Sequence, residues 1–106
     1  MDATISSLLS ELTANLKQIY SKNYKKTVLY GSCAREEAGQ YSDVDVLVIL
    51  QKIESMSHER GKASDILSQL SLKYDKVISL HPISEESWTH RQAPFLINAR
   101  KEGVVV

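Results

Sequence analysis

Residues 44–50, Val-Asp-Val-Leu-Val-Ile-Leu, constrain this chain more than any other stretch. Successive side chains of a strand point to opposite faces. Both faces of this run are apolar, so a strand here must be central and covered on both sides. Only Asp45 interrupts it. At 106 residues the chain supports one core and one cleft, and we read 1–106 as a single domain.

The flanking segments supply the cover. Ile5, Leu8, Leu9, Leu12, Leu16, Ile19 and Tyr20 form one face of an amphipathic helix over 3–20. Asp2 can cap its start, and Asn23 suits a left-handed stop. Thr27–Tyr30 is β-branched and aromatic, a short strand broken by Gly31-Ser32. Ala34–Ala38 can begin a short helix, and 39–42 read as loop. Residues 54–61 are polar and without period, a loop or a frayed helix start. Ala63, Ile66, Leu67, Leu70 and Tyr74 then mark a second amphipathic helix. Val77–His81 is a third strand, ended by Pro82. Ser84 caps a short acidic helix start. Pro94–Lys101 is a last helix with Gly103 as its stop, and the three C-terminal valines suit an edge strand. Helices alternating with strands predict a small α/β (α+β) fold, a mixed sheet packed with helices.

Composition narrows the function classes. Thirteen Lys and Arg balance thirteen Asp and Glu, which argues against a general nucleic-acid binder. No apolar run approaches the roughly 20 residues of a membrane span. No cationic leader precedes an apolar block, so a cytoplasmic protein is the expectation. The single cysteine, Cys33, excludes an intrachain disulfide and a cysteine-based zinc site. A small buried thiol suits Cys33 better than a nucleophile does.

The chemistry concentrates in Gly31-Ser32-Cys33-Ala34-Arg35 and Ser42-Asp43-Val44-Asp45. Asp43 and Asp45 are two apart on a strand, so their carboxylates share a face. Like charges repel, and an unpaired buried carboxylate is costly. A hard divalent cation offsets both, Mg²⁺ above all. A salt-bridged or turn-capping acid pair is the plainer reading of a bare Asp-x-Asp. Gly31-Ser32 shifts the balance toward chemistry. A glycine after a strand lets backbone N–H groups approach a phosphate, and the serine hydroxyl can donate to it. Adjacent strands would join this cradle to the acids, as nucleoside triphosphate chemistry requires.

Gly-Ser, ten residues, then Asp-x-Asp resembles the signature of the DNA polymerase β-like nucleotidyltransferase superfamily. The fuller string is similar to the minimal nucleotidyltransferases (MNT), small single-domain proteins often paired with an all-helical HEPN protein. The resemblance implies that Asp43 and Asp45 ligate Mg²⁺ ions, two of them, on the triphosphate. It implies that Gly31 and Ser32 hold the β/γ phosphates and that Arg35 sits near them or braces the loop. The implied reaction transfers a nucleoside monophosphate, AMP from ATP, to a hydroxyl and releases pyrophosphate. Some relatives of this kind are antitoxins that modify a tyrosine of their HEPN toxin.

Two departures matter. Glu36 follows the arginine where glycine is usual, and Gly39 can supply the flexibility. The strand 77–81 lacks the family's third carboxylate, which completes the metal site and can help deprotonate the acceptor. Three explanations stand: Asp75 or Glu85 reaches in, His81 acts as base, or catalysis is weak or lost while nucleotide binding survives. His81 is also read plainly as a strand-end histidine, and His58 and His90 as surface residues. Trp88 and Phe95 suit the core or a partner surface, and the Lys25-Lys26 and Arg60-Gly61-Lys62 clusters suit solvated faces. The primary expectation is a Mg²⁺-dependent nucleotidyltransferase acting with a HEPN-like partner. The alternative is a catalytically weak or inactive interaction protein of the same fold that binds nucleotide, a HEPN-like partner, or both.

Overall fold

The computed structural model describes residues 3–31, 34 and 43–106. A four-stranded sheet, in the order β3-β2-β1-β4, is built from β1 (Tyr24–Tyr30), β2 (Val44–Leu50), β3 (Ile78–Ser84) and β4 (Val104–Val105). β1 is antiparallel to β2 and to β4, and β2 is parallel to β3. The sheet is mixed because β2 reaches β3 through two helices, α2 (Met56–Lys62) and α3 (Ser64–Tyr74). The helix that precedes the sheet is α1 (Ala3–Tyr20), and the two that follow β3 are α4 (Glu85–His90) and α5 (Pro94–Glu102).

The period of two in β2 divides the core. Val44, Val46, Val48 and Leu50 face a cluster with Leu8, Leu12 and Leu16 of α1 and Leu70 of α3. Leu47 and Ile49 face the other side, with Val28, Leu96 and Ala99. All six of those β2 residues are fully buried, as expected of a strand apolar on both faces. Trp88 packs half-buried against the second cluster, and Lys26 Nζ lies 5.5 Å from its ring centre.

Two local expectations fall outside the described residues, and others need correction. Asp2 lies outside the described residues, as does the segment expected to form a helix after Ala34, which itself sits in a turn. The left-handed residue after α1 is Ser21, not Asn23. Asn23 instead closes a 3₁₀ turn, donates from Nδ2 to the Lys52 carbonyl and accepts from the Lys52 N–H, both at 2.9 Å. That two-way clamp holds β1 against the end of β2, so β1 begins at Tyr24, three residues before the β-branched run. The polar stretch 54–61 contains most of α2, capped by Ser55, whose hydroxyl accepts from the His58 N–H at 3.3 Å. It shows no apolar period because the one residue it buries is Glu59, which pairs with Lys62 at 3.2 Å.

Pro82 does not end β3, which continues to Ser84. β3 is the outer strand, so the missing N–H of Pro82 is tolerated where it faces away from β2. Ser84 caps α4 as expected, accepting from the Ser87 N–H at 3.2 Å. Pro94 opens α5, and the terminal valines form β4 beside β1.

Gly103 ends α5 through close approach rather than unusual backbone. Its φ is −70°, but a Cβ there would lie 2.3 Å from the Ala99 carbonyl and 2.6 Å from Val28 Cγ1. Gly103→Ala should therefore cost about 1–3 kcal/mol, the scale of overpacking. Gly61, within α2, has open space where a Cβ would stand, with nothing within 4 Å of it. Gly61→Ala should be stabilising by about 0.5–1 kcal/mol. Urea denaturation of the two variants checks both signs.

Candidate active site

β1 delivers its chain to the site at Tyr30, directly opposite Asp45 of β2. The next residue, Gly31, has φ +75°, a conformation that favours glycine. A Cβ on Gly31 would lie 2.7 Å from Asp45 Oδ2. Glycine is thus required twice over, for the turn and for the approach to the carboxylate. The two halves of the sequence signature meet here through the antiparallel pairing of β1 with β2.

Alternation puts Asp43, Asp45, Leu47 and Ile49 on the same face of β2, the face covered by α5. Asp43 is exposed at the strand mouth, and Asp45 is half-buried one step further in. Burial pushes the Asp45 carboxyl above its ordinary range, the Asp43 charge adds to the rise, and His81 opposes it. The Tyr30 hydroxyl is pushed up to about 12 by burial and by the Asp45 charge.

The parallel register supplies the other wall. Ser79 stands beside Asp45 and His81 beside Leu47, so both lie on the face of the acids. Phe95, at the start of α5, is edge-on to Tyr30 at 5.4 Å and to His81 at 6.1 Å between ring centres. Tyr30 and His81 flank β2 from either side, so the Phe95 ring crosses β2 beside Asp45. Next to it lies a cavity of about 120 Å³ lined by Tyr30, Gly31, Phe95, Asn98, Ala99 and Glu102. A larger groove, about 700 Å³, runs along α1 past Leu9, Thr13 and Val106 and touches none of these residues.

Comparison with known proteins decides the family. The nucleotidyltransferase domain pattern matches residues 9–105, nearly the whole chain. Two Methanocaldococcus jannaschii proteins named for protein adenylylation are similar. MJ0141 is 33% identical over 75 residues, covering 71% of this chain and 75% of its own. MJ1305 is 32% identical over 83 residues, covering 77% of this chain and 55% of its own. This chain belongs to the nucleotidyltransferase domain family. It is accordingly an enzyme of the nucleotidyltransferase class, a family whose members take a nucleoside triphosphate and typically a divalent metal.

Solved structures agree on the fold. A toxin–antitoxin crystallised with AMP-PNP superposes with a TM-score of 0.61 at 13% identity, over 87% of this chain and 67% of the other. A variant of the toxin–antitoxin MntA–HpeT gives 0.58 at 11% identity, over 87% and 66%.

Of the site residues expected from this nucleotidyltransferase sequence, Gly31, Asp43 and Asp45 come together. Ser32 and Arg35 lie outside the described residues, as does Cys33. Glu85 is excluded as a third acid for this site. It follows Ser84, which pairs with Leu50, five positions along β2 from Asp45 and so roughly 17 Å away at the rise of a strand. Asp75 is at the same end of the sheet as Asp43, in the left-handed residue that ends α3. Among the described residues, β3 offers Ser79 and His81 rather than a carboxylate on the face of Asp45.

Two participants are hidden from sequence reasoning. Phe95 reads as a residue of the core or of a partner surface, yet it is 42% exposed and forms a wall of the site. Arg60 reads as part of a solvated cluster, yet its Nη2 lies 3.4 Å from His81 Nδ1. No local signal marks either one, because each reaches the site from a distant element.

The raised Asp45 carboxyl has a signed consequence. Its ionised form is disfavoured by the fold, so its contribution to stability is full below the ordinary carboxylate range and is lost as pH rises through the raised value. Asp45→Asn should melt at a higher temperature than the parent at pH 7. The gain should shrink as pH falls through the carboxylate range, and melting curves across pH ~3–8 read both effects.

Proposed function

We propose that this nucleotidyltransferase transfers AMP from ATP to a hydroxyl of a partner protein, with Mg²⁺ held by Asp43 and Asp45. The observation that carries the reading is the approach of the left-handed Gly31 to Asp45, which leaves a bare backbone turn against a carboxylate. Backbone N–H groups in such a turn suit phosphate oxygens.

The donor set fits a hard cation. Two carboxylates share a face, and one is pushed toward its neutral form by burial and by the other. Among the described residues no group of three or more His, Cys, Asp or Glu could hold a metal ion. Mg²⁺ is commonly held by one or two carboxylates with substrate phosphates and water. Bound there, it would neutralise charge on the phosphate oxygens as they move through the transition state.

The chain's own residues then orient the reactants. Gly31 and Ser32 hold the β/γ phosphates, with Arg35 beside them. The acceptor oxygen bonds to the α-phosphorus, the bond from that phosphorus to the bridging oxygen breaks, and pyrophosphate leaves. The hydroxyl proton passes to solvent or to a nearby base. Phe95 and Tyr30 shield the Asp45 side of the site from water.

MJ0141 and MJ1305 are named for protein adenylylation, which supports AMP as the group moved and protein as the acceptor. Two of the solved structures of this fold are toxin–antitoxin proteins, and together with the resemblance to minimal nucleotidyltransferases this supports the role of an antitoxin whose toxin is a helical HEPN-like protein. The described residues include no helix long and apolar enough to cross a membrane, which is compatible with action in the cytoplasm.

Transfer of label from α-³²P-ATP to a co-expressed HEPN-like partner tests the reading. Asp43→Asn and Asp45→Asn should each lower transfer by at least about 10²-fold, the scale of losing a main electrostatic contact to the transition state. Ser32→Ala should weaken triphosphate affinity by roughly 1–3 kcal/mol, the scale of a charge-assisted hydrogen bond. Transfer at the parent rate by both aspartate variants overturns the site assignment.

A further inference from the structure

Resting on the reading above, we infer that the acceptor enters over β3 and that Arg60, with His81, selects a peptide with an acidic side chain beside its hydroxyl. The direction of entry follows from in-line displacement. The attacking and leaving oxygens lie on opposite sides of the phosphorus. Gly31 directly follows β1, so the leaving pyrophosphate lies on the β1 side of Asp45. The attacking hydroxyl therefore comes from the β3 side. β3 is the outer strand of the sheet, and among the described residues its His81 is exposed.

What waits there is a cation. Arg60 belongs to α2, on the route from β2 to β3, and reaches His81 on the face of the acids. A guanidinium has donors only, so in this contact His81 Nδ1 accepts and Nε2 is the ring's donor. His81 thus presents an N–H to an incoming oxygen, while Arg60 holds the ring in that form. Arg60 is exposed, and the contact with His81 is the one hydrogen bond of its side chain among the described residues. Most of its five donors remain for a ligand, and a planar fork of this kind matches a carboxylate.

The surrounding charge sharpens the choice. Asp43 and Asp45 make the site anionic and repel an acidic acceptor. Arg60 offsets that repulsion only on the β3 side, and only within a short range at physiological salt. An acceptor with its acid placed elsewhere gains nothing.

The test uses synthetic peptides bearing one Tyr, Ser or Thr flanked by Asp, Ala or Lys, with α-³²P-ATP, Mg²⁺ and the full chain. The parent should label Asp-flanked peptides about two- to fivefold more efficiently than Ala-flanked ones, the scale of an exposed ion pair. Arg60→Glu should reverse the preference toward Lys-flanked peptides, and Arg60→Gln should abolish it. Calorimetric binding of Mg²⁺ with a non-hydrolysable ATP analogue should be unchanged in both variants, which also shows that they fold. The inference is overturned by an Asp preference that survives Arg60→Glu, by labelling indifferent to flanking charge, or by loss of nucleotide binding in the Arg60 variants. It is also overturned if the parent binds nucleotide and labels no peptide. Failure of the parent to bind nucleotide strikes the proposed function itself and is read separately in the calorimeter.

Discussion

A carboxylate inside the central strand is the constraint on which the site depends. β2 is buried on both faces except at Asp45, where the fold places an acid opposite Tyr30 and against Gly31. Burial and the Asp43 charge both work against its ionised form. A fold selected for stability alone would place an apolar residue there. The unfavourable position is the physical ground for proposing a cation at this site, and the surrounding elements hold the acid in place.

The two core clusters serve that arrangement. α1 and α3 cover one face of the sheet and fix β2 between β1 and β3. α5 covers the other face and brings Phe95 over the strand beside Asp45. Gly103 lets the chain turn tightly from α5 into β4, with its backbone close to Val28 and Ala99. The edge strand, the helix and the aromatic wall are therefore one mechanical unit leaning on β1. The strand order also divides the labour of the site. Under the proposed function, phosphates are held on the β1 side through Gly31 and the acceptor is received on the β3 side through His81.

Much of this is legible in the sequence. The period of α1, the two-faced run of β2 and the Gly31–Asp45 spacing each rest on one local rule, and the structure places all three as expected. The site pair is legible because its two halves lie on strands close in sequence. What fails depends on partners far along the chain. Pro82 reads as a strand end until β3 is known to be an edge. Glu85 reads as a nearby acid until the parallel register carries it to the far end of the sheet. Arg60 reads as a solvated charge until α2 is seen to bring it to His81. Asn23 reads as a left-handed stop until Lys52 is found to occupy both ends of its amide.

Everything functional here turns on whether Asp43 and Asp45 form a live site for a cation and a nucleotide. Titration calorimetry with a non-hydrolysable ATP analogue, with and without Mg²⁺, decides this on the parent, Asp43→Asn and Asp45→Asn. The parent should bind in a Mg²⁺-dependent way, and both variants should lose binding while keeping the fold. Equal binding by all three proteins, or binding by the parent that ignores Mg²⁺, would show that the acid pair is not the site.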